Sequence, residues 1–311
     1  MPVRKYLISI VGPTAVGKTR LAVFLAQQLG TEVLSFDSRQ MYRGMDIGTA
    51  KPGEAEAQGV PHHFVDFLEP DEPYDAARFA EQALGWIQGY MAKNQALILV
   101  GGSTLYIDAL WHEFSEIPPV PPEIRNALTE SWKKEGLSPL LAELDKVDPQ
   151  TGSLIDRANP VRIIRALEVF RATGNPISHY RKGRKKRDLP YTWINIGLED
   201  ERDLLYERID QRVEEMLKQG LEKEVKNLIK AGFSQELSAL QSIGYREFFP
   251  YWQGTYDYEE VVRLIKRNSR RYAKRQLTWF KRYPDITWFP AGAMQEVLDW
   301  LNPNMTDLTP D

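Results

Sequence analysis

The first thirty residues of this chain combine a short apolar run, a glycine-rich loop and an amphipathic stripe. Residues 5–11 (KYLISIV) are apolar and rich in β-branched side chains, and residues 12–19 (GPTAVGKT) follow at once. Leucine and alanine then recur at helical spacing up to Gly30, a typical helix stop. A buried strand that enters a glycine loop and then a helix is the first unit of an α/β fold.

The loop at residues 12–19 has Walker A spacing, in which glycine, four residues, Gly-Lys and Ser or Thr follow one another. Glycines let successive backbone N–H groups turn toward an anion, and the helix N-terminus adds partial positive charge. Lys18 can reach phosphate oxygens and Thr19 can hold Mg²⁺. We therefore expect a diphosphate site, and it comprises Gly12, Pro13, Thr14, Ala15, Val16, Gly17, Lys18 and Thr19.

Strand and helix patterns continue to alternate after the loop. Residues 32–36 (EVLSF) and 96–100 (ALILV) are strand candidates, and so are residues 193–198 (WINIGL) and 286–289 (ITWF). This alternation predicts a parallel sheet covered by helices on both faces. The predicted fold class is α/β, with a P-loop NTPase-like core.

A change of composition marks a second region within this core. Residues 117–122 (IPPVPP) contain four prolines, and the residues that follow have a helical pattern. We predict an inserted all-helical domain at residues 116–190. The core would then comprise residues 1–115 and 191–302, followed by a disordered polar tail at residues 303–311.

Composition narrows the function classes. The chain has 40 basic and 43 acidic residues, so a nucleic acid would have to be held by local patches. The absence of cysteine excludes disulfides, thiolate metal sites and a cysteine nucleophile. The sequence contains neither a signal-peptide pattern nor an apolar stretch long enough for a membrane span, so we expect a cytoplasmic protein. Since no long apolar helix requires a partner, we expect a monomer.

Residues 37–40 (DSRQ) follow the second strand candidate, so Asp37 would lie at the carboxyl edge of the sheet beside the phosphate loop. Asp37 has three interpretations: a Mg²⁺ ligand, a base for an acceptor substrate, or a helix cap or turn residue. Gln40 pairs a donor with an acceptor, as reading the edge of an adenine requires. This row of side chains favours recognition of an acceptor base.

Basic residues cluster in three places. Residues 261–284 contain nine Lys or Arg and no acid, which favours a helix that follows RNA phosphates. Arg162 and Arg165 share one face of a predicted helix. Residues 181–187 (RKGRKKR) are either a phosphate clamp or a solubilising linker.

Taken together, these residues resemble the tRNA dimethylallyltransferase family, also called tRNA isopentenyltransferase, in its bacterial type. The matching motifs extend from residue 12 to about residue 280: GPTAVGKT, DSRQMYRGMDIGTAKP, PHHFVDFLEP, GGSTLYIDAL, PPEIR, NPVRIIRALEV, LQSIGYRE and YAKRQLTWF. The zinc finger of eukaryotic relatives is missing, as the absence of cysteine requires.

The resemblance implies transfer of a dimethylallyl group from dimethylallyl diphosphate to N6 of the adenosine just 3′ of the anticodon. The implied substrates are tRNAs that read codons beginning with U, and the inserted domain would bind the anticodon stem-loop. Asp37, Ser103 and Lys18 are the implied catalytic residues, with Arg212 on the diphosphate and Mg²⁺ as the implied cofactor on Thr19. The implied tRNA contacts are Asp37, Ser38, Arg39, Gln40, Ser103, Arg125, Arg162 and Arg165.

One position departs from the family pattern. Ser103 stands where we expect threonine, so either Ser103 or Thr104 would supply the hydroxyl of the site. Three rival functions also stay open: prenylation of free AMP or ADP, phosphate transfer from ATP by a small-molecule kinase, and RNA binding without catalysis. Prenylation of a free nucleotide would not need the inserted domain or the basic helix.

Overall fold

The computed structural model describes residues 4–115, 117–181, 183 and 185–305. It divides into two compact units, Met1–Leu110 with Asp188–Asp311 and, between them in sequence, Trp111–Arg187. The structure thus places the limits of the inserted unit at residues 111 and 187, where the sequence placed them at 116 and 190.

The first part of the core alternates strands and helices. Its elements are β1 (Tyr6–Val11), α1 (Lys18–Leu29), β2 (Val33–Ser35), α2 (Glu54–Ala57), β3 (His62–His63), α3 (Ala76–Met91), β4 (Ala96–Val100) and α4 (Thr104–Trp111). The inserted unit follows with β5 (His112–Glu113), α5 (Pro122–Glu135), α6 (Ser138–Val147), α7 (Pro149–Leu154), α8 (Pro160–Thr173), α9 (Ile177–Tyr180) and β6 (Lys185–Lys186). The chain then returns to the core with β7 (Thr192–Glu199), α10 (Arg202–Gln219), α11 (Leu221–Lys230), α12 (Phe248–Trp252), α13 (Tyr258–Phe280), β8 (Ile286–Pro290) and α14 (Met294–Asn304).

Six strands form one sheet in the order β3-β2-β4-β1-β7-β8, and every pairing in it is parallel. The predicted α/β class is therefore confirmed. All six residues of β1 are buried, as expected of a strand covered on both faces. Full burial of one such Leu or Ile side chain contributes about 1.5–3 kcal/mol.

The carboxyl ends of parallel strands lie at the same edge of the sheet. The loop at residues 12–19 follows β1, residues 37–40 follow β2, and residues 101–103 follow β4. Because β4 lies between β1 and β2 in the sheet, these three loops are neighbours. This edge is where ligands of α/β proteins bind.

Several predicted boundaries were wrong. Strand β2 is Val33–Ser35, shorter than the predicted residues 32–36, so Asp37 lies in the loop two residues beyond its end. Strand β3, His62–His63, was not among the predicted strands, and it pairs with β2. Helix α14 was not predicted, and it includes residues 303 and 304 of the expected disordered tail. Residues 306–311 lie outside the described part of the chain.

The inserted unit is a small helical bundle with its own apolar core. Leu128 of α5, Leu144 of α6 and Leu167 of α8 are fully buried within it. Where the chain enters and leaves the unit, β5 and β6 add a two-residue antiparallel pair to the predicted helices. Of the basic run at residues 181–187, residues 182 and 184 lie outside the described residues.

A buried carboxylate organises the charged side of this bundle. Glu168 is fully buried and accepts hydrogen bonds from Arg125 Nε and Nη2 at 2.6 and 2.7 Å. Arg165 Nη1 donates to the same carboxylate at 2.5 Å. Burial by itself raises the pKa of Glu168, but the hydrogen bonds from the two arginines outweigh it and leave the pKa below its usual value. Two of the four arginines implied as tRNA contacts therefore bind this carboxylate, and Arg125 joins α5 to α8 through it.

Arg162 differs from these two arginines. Its side chain is exposed and makes no hydrogen bond or ion pair within the described residues.

No helix in the part of the chain that the structure describes is both long and apolar enough to cross a bilayer.

We expect Arg125→Ala to lower the free energy of unfolding by about 2 kcal/mol, because it leaves a buried carboxylate with one partner instead of two. Denaturant unfolding of the full chain measures this change. The matched variant Arg162→Ala removes an unpaired exposed arginine and should stay within about 0.5 kcal/mol of the wild type. Equal losses from the two variants would contradict this structural role of Arg125.

Candidate active site

The loop after β1 adopts a conformation that glycine permits and other residues do not. Gly12 has φ 144°, and a Cβ atom there would lie 2.5 Å from the carbonyl oxygen of Leu198 in β7. Gly17 has φ 95° and precedes the first residue of α1. The backbone can therefore turn tightly against β7 and enter α1, whose N-terminus carries partial positive charge. This is the geometry expected of a phosphate loop.

Lys18 lies folded onto this loop. Its Nζ donates to the carbonyl oxygens of Gly12 and Pro13 at 3.1 and 2.7 Å. Burial lowers the pKa of Lys18 to about 7, while the charge of Asp37 raises it and that of Arg212 lowers it. Because burial destabilises the charged form of Lys18, an anion that reaches the loop would stabilise that form strongly.

Arg212 reaches the loop from α10. Its Nη1 donates to Thr14 Oγ1 at 3.2 Å. Burial lowers the pKa of Arg212, and the nearby Asp37 opposes that shift. An arginine on a helix is more often solvated, but the structure brings this one beside the phosphate loop, where the resemblance had placed it.

The structure shows one of the three interpretations of Asp37 that the sequence left open. Its Oδ1 accepts from the backbone N–H of Arg39 at 3.0 Å, so it acts as a turn residue. Its Oδ2 makes no hydrogen bond within the described residues. The charge of Asp37 also influences the pKa of Lys18, Arg212 and Tyr272, so the carboxylate lies within electrostatic reach of the phosphate loop. One carboxylate oxygen is held while the other remains for a ligand.

Ser103 connects the loop after β4 with the tetrad at residues 37–40. Its Oγ accepts from the backbone N–H of Ser38 at 2.8 Å and donates to Ser38 Oγ at 2.9 Å. Ser103 is buried, whereas Thr104 is the first residue of α4. The hydroxyl that faces the tetrad is therefore that of Ser103.

Arg39 and Gln40 are engaged with the protein itself. Arg39 Nη1 donates to the carbonyl oxygen of Ser238 at 2.9 Å. Gln40 Nε2 donates to the carbonyl oxygens of Ala50 at 2.9 Å and Thr49 at 3.3 Å. The amide hydrogens expected to read an adenine thus hold a neighbouring turn, and adenine recognition by Gln40 stays a prediction. Met41, which follows the tetrad, is fully buried in the core.

Sequence reasoning missed two residues of α13 that reach this site. Gln276 is 2% exposed, and its Oε1 accepts from the N–H of Thr14 at 2.9 Å while its Nε2 donates to Gly102 O at 2.8 Å. Tyr272, one turn earlier, donates its hydroxyl to the carbonyl oxygen of Gly102 at 3.4 Å. The sequence did contain a signal for these two residues: Tyr272 and Gln276 are polar and uncharged and lie four residues apart within a basic stretch.

The same helix has a second, cationic side. Lys266 and Arg270 pair with acids of α10, at 2.5 Å from Glu214 and 2.6 Å from Asp210. A stretch without acids therefore does not leave all its cations free, because a neighbouring helix supplies the acids. Three exposed residues of α13 have no acidic partner within the described residues: Arg271, Lys274 and Arg275. They form the part of the helix best suited to RNA phosphates.

The Thr19 hydroxyl fits a Mg²⁺ ion whose other ligands are phosphate oxygens and water. Within the described residues there is no group of three or more His, Asp or Glu side chains that could hold a metal by themselves. Thr19, the second residue of α1, is half-buried beside the loop. One hydroxyl with substrate phosphates and water is a usual Mg²⁺ environment, since the ion keeps several waters.

Known proteins resemble this chain over almost its whole length. A family model described as IPP transferase matches residues 40–283. The chain is 43% identical over 305 residues to a tRNA dimethylallyltransferase of Cytophaga hutchinsonii, and the match covers 98% of this chain and 99% of that protein. It is 46% identical over 287 residues to tRNA dimethylallyltransferase 1 of Pelobacter propionicus, covering 92% and 93% of the two chains.

Solved structures show the same likeness. A tRNA isopentenylpyrophosphate transferase of Bacillus halodurans superimposes with a TM-score of 0.72 at 39% identity, covering 98% of each chain. A eukaryotic dimethylallyltransferase acting on tRNA gives a TM-score of 0.76 at 26% identity, covering 94% of this chain and 75% of that one.

We expect Lys18 to react with amine-directed reagents at unusually low pH, because burial lowers its pKa to about 7 and only the neutral amine reacts. Competitive labelling across a pH series, followed by peptide mass spectrometry, gives the midpoint. Inorganic diphosphate should protect Lys18 and leave the exposed Lys274 reactive. A midpoint near the usual lysine value of 10.5 would contradict the effect of burial.

Proposed function

Because this chain belongs to the IPP transferase family of tRNA dimethylallyltransferases, we propose that it transfers a dimethylallyl group from dimethylallyl diphosphate to an adenosine of tRNA. The proposed acceptor atom is N6 of the adenosine 3′-adjacent to the anticodon, in tRNAs that read codons beginning with U. The products are N6-isopentenyladenosine in the tRNA and diphosphate. The observation that carries this proposal is a carboxylate, Asp37, within electrostatic reach of two cations at a phosphate loop.

The leaving group calls for fixed positive charge. As the bond between the allylic carbon and the diphosphate oxygen breaks, negative charge builds on that oxygen. We propose that backbone N–H groups of the loop, Lys18 and Arg212 stabilise it, since the burial that lowers the pKa of both side chains also strengthens their attraction to an anion. When bound, Mg²⁺ held by the diphosphate and by Thr19 would supply further charge neutralisation.

The nucleophile calls for a base. The lone pair of the adenine N6 amine is delocalised into the ring, so attack on carbon needs removal of a proton as the new bond forms. In the proposed step the N6–C bond forms, the C–O bond breaks, and the N6 proton passes to Asp37. The hydrogen bond from the Arg39 N–H to Asp37 Oδ1 fixes the carboxylate and leaves Oδ2 as the proton acceptor. General base catalysis of this kind contributes about 10²- to 10⁴-fold.

The acceptor base has to leave its stack to reach Asp37. Flipping a base costs a few kcal/mol, which contacts with the rest of the RNA must offset. Four exposed cations have no acidic partner in the described part of the chain and are proposed for that purpose: Arg162 in the inserted unit and Arg271, Lys274 and Arg275 on α13. Arg125 and Arg165 remain 59% and 41% exposed beside Glu168, and we propose that the exposed part of each side chain contacts phosphates. The expected location of the protein is the cytoplasm.

We expect Asp37→Asn to reduce kcat for prenyl transfer at least about a hundredfold, because the amide cannot accept the N6 proton. The dissociation constant for tRNA should change less than about threefold, since the variant keeps the shape of the side chain. Mass spectrometry of tRNA nucleosides measures the product, and filter binding measures the complex. The control Asp71→Asn alters an exposed turn and should behave as wild type. Near-normal transfer by Asp37→Asn would overturn the general-base role.

The rival functions predict different products from the same mixture. We expect the purified protein with Mg²⁺ and dimethylallyl diphosphate to modify tRNA and to leave AMP and ADP essentially unmodified. Efficient prenylation of AMP without that of tRNA would favour the free-nucleotide enzyme. Transfer of the γ-phosphate of ATP without prenyl transfer would favour a kinase.

A further inference from the structure

The side chain of Gln276 connects two loops of the candidate site. Its Oε1 accepts from the N–H of Thr14 in the phosphate loop, and its Nε2 donates to the carbonyl oxygen of Gly102 in the loop after β4. The two hydrogen bonds are 2.9 and 2.8 Å long. Because the side chain is 2% exposed, little of it is accessible to a substrate. Both ends of the amide are therefore committed to the protein.

These bonds continue toward the carboxylate of Asp37. Gly102 precedes Ser103, whose hydroxyl is bonded to the backbone and the side chain of Ser38. Ser38 in turn follows Asp37. A short series of contacts thus runs from the phosphate loop through Gln276 and Ser103 to the tetrad, and each of its links is a hydrogen bond or a peptide bond.

Gly102 shows how closely Gln276 is packed. A Cβ atom on Gly102 would lie 2.3 Å from Gln276 Nε2, and its next neighbours would be Gln276 Cδ at 3.6 Å and Lys18 Nζ at 3.9 Å. The backbone of Gly102 has no positive φ, so alanine can adopt its conformation. The glycine is required by the approach of this one amide.

We propose that Gln276 is a positioning residue that sets the separation between the phosphate loop and the Asp37 side of the site. This role rests on the proposed function, since it matters only if a group held at the loop reacts with a group held at Asp37. In this role Gln276 touches neither substrate. It acts by keeping the dimethylallyl diphosphate at the loop aligned with the base, Asp37. Misplacement by about 1 Å can lower a rate about a hundredfold.

The role makes a distinct kinetic prediction. Gln276→Ala should lower kcat for prenyl transfer about ten- to a hundredfold and leave KM for tRNA and for dimethylallyl diphosphate within about threefold. The matched control Gln295→Ala makes the same change at an exposed glutamine of α14 and should retain wild-type kcat. Thermal unfolding of each variant separates a loss of alignment from a loss of folding. Wild-type kcat in Gln276→Ala, or a loss that appears in KM, would overturn the proposal.

Gly102→Ala tests the same contact from its other side. The added methyl group displaces the amide of Gln276, so this variant should also lose kcat. In the double variant Gly102→Ala with Gln276→Ala, the methyl group meets no amide. We therefore expect the double variant to be no slower than the slower single variant, as for two residues that share one interaction. If the two fold-losses multiply, the contact between Gly102 and Gln276 is not the one that matters.

Hydrogen exchange of the substrate-free protein gives a readout that does not depend on catalysis. Exchange at the backbone amide of Thr14 should be faster in Gln276→Ala than in wild type or Gln295→Ala, because its acceptor has been removed. Unchanged exchange would overturn the positioning role even in an active enzyme. If the wild type transfers no prenyl group while Thr14 exchange still accelerates in Gln276→Ala, the proposed function fails and the contact itself stands.

Discussion

The parallel pairing of β1 between β4 and β7 is the constraint on which the rest of the site depends. It brings the loop after β1 against the backbone of β7, where Gly12 lies too close to Leu198 O for any side chain. It also places the loop after β4 at the same edge, with the loop after β2 next to it. Chemical groups that are distant in sequence thereby meet at one edge without any single loop having to be long.

Electrostatics at this edge is a balance between burial and opposite charge. Lys18 and Arg212 are both desolvated, which lowers the pKa of each, and Asp37 opposes the shift in both cases. Two cations near one acid leave a net positive charge in a half-buried place, which suits a diphosphate that carries several negative charges. Asp37 Oδ1 accepts from the N–H of Arg39, while Oδ2 makes no hydrogen bond within the described residues. The arrangement can hold an anion beside a carboxylate oxygen that is open to a second ligand.

Helix α13 serves two purposes because it has more than one face. Gln276 and Tyr272 point into the site, while Arg271, Lys274 and Arg275 are exposed. Other cations of the helix pair with α10, which fixes the two helices together. In the inserted unit, Arg125 and Arg165 likewise serve the bundle through Glu168. The described basic residues of α13 therefore include ones that pair with acids of α10 and exposed ones that have no acidic partner.

The sequence alone determined the local parts of this protein: the phosphate loop, the parallel α/β core, the position of Asp37 near the loop, and the family. The first three depend on glycine conformation and on hydrophobic period, which neighbouring residues decide, whereas the family follows from the resemblance of the motifs. Only the tertiary structure decided which partner each polar side chain has. Thr14 and Gln276 are 262 residues apart, and the amide of Gln40 and the guanidinium of Arg125 have partners that no spacing indicates. Such hydrogen bonds follow from the packing of distant elements, because a polar group that becomes buried must bond to whatever the fold brings beside it.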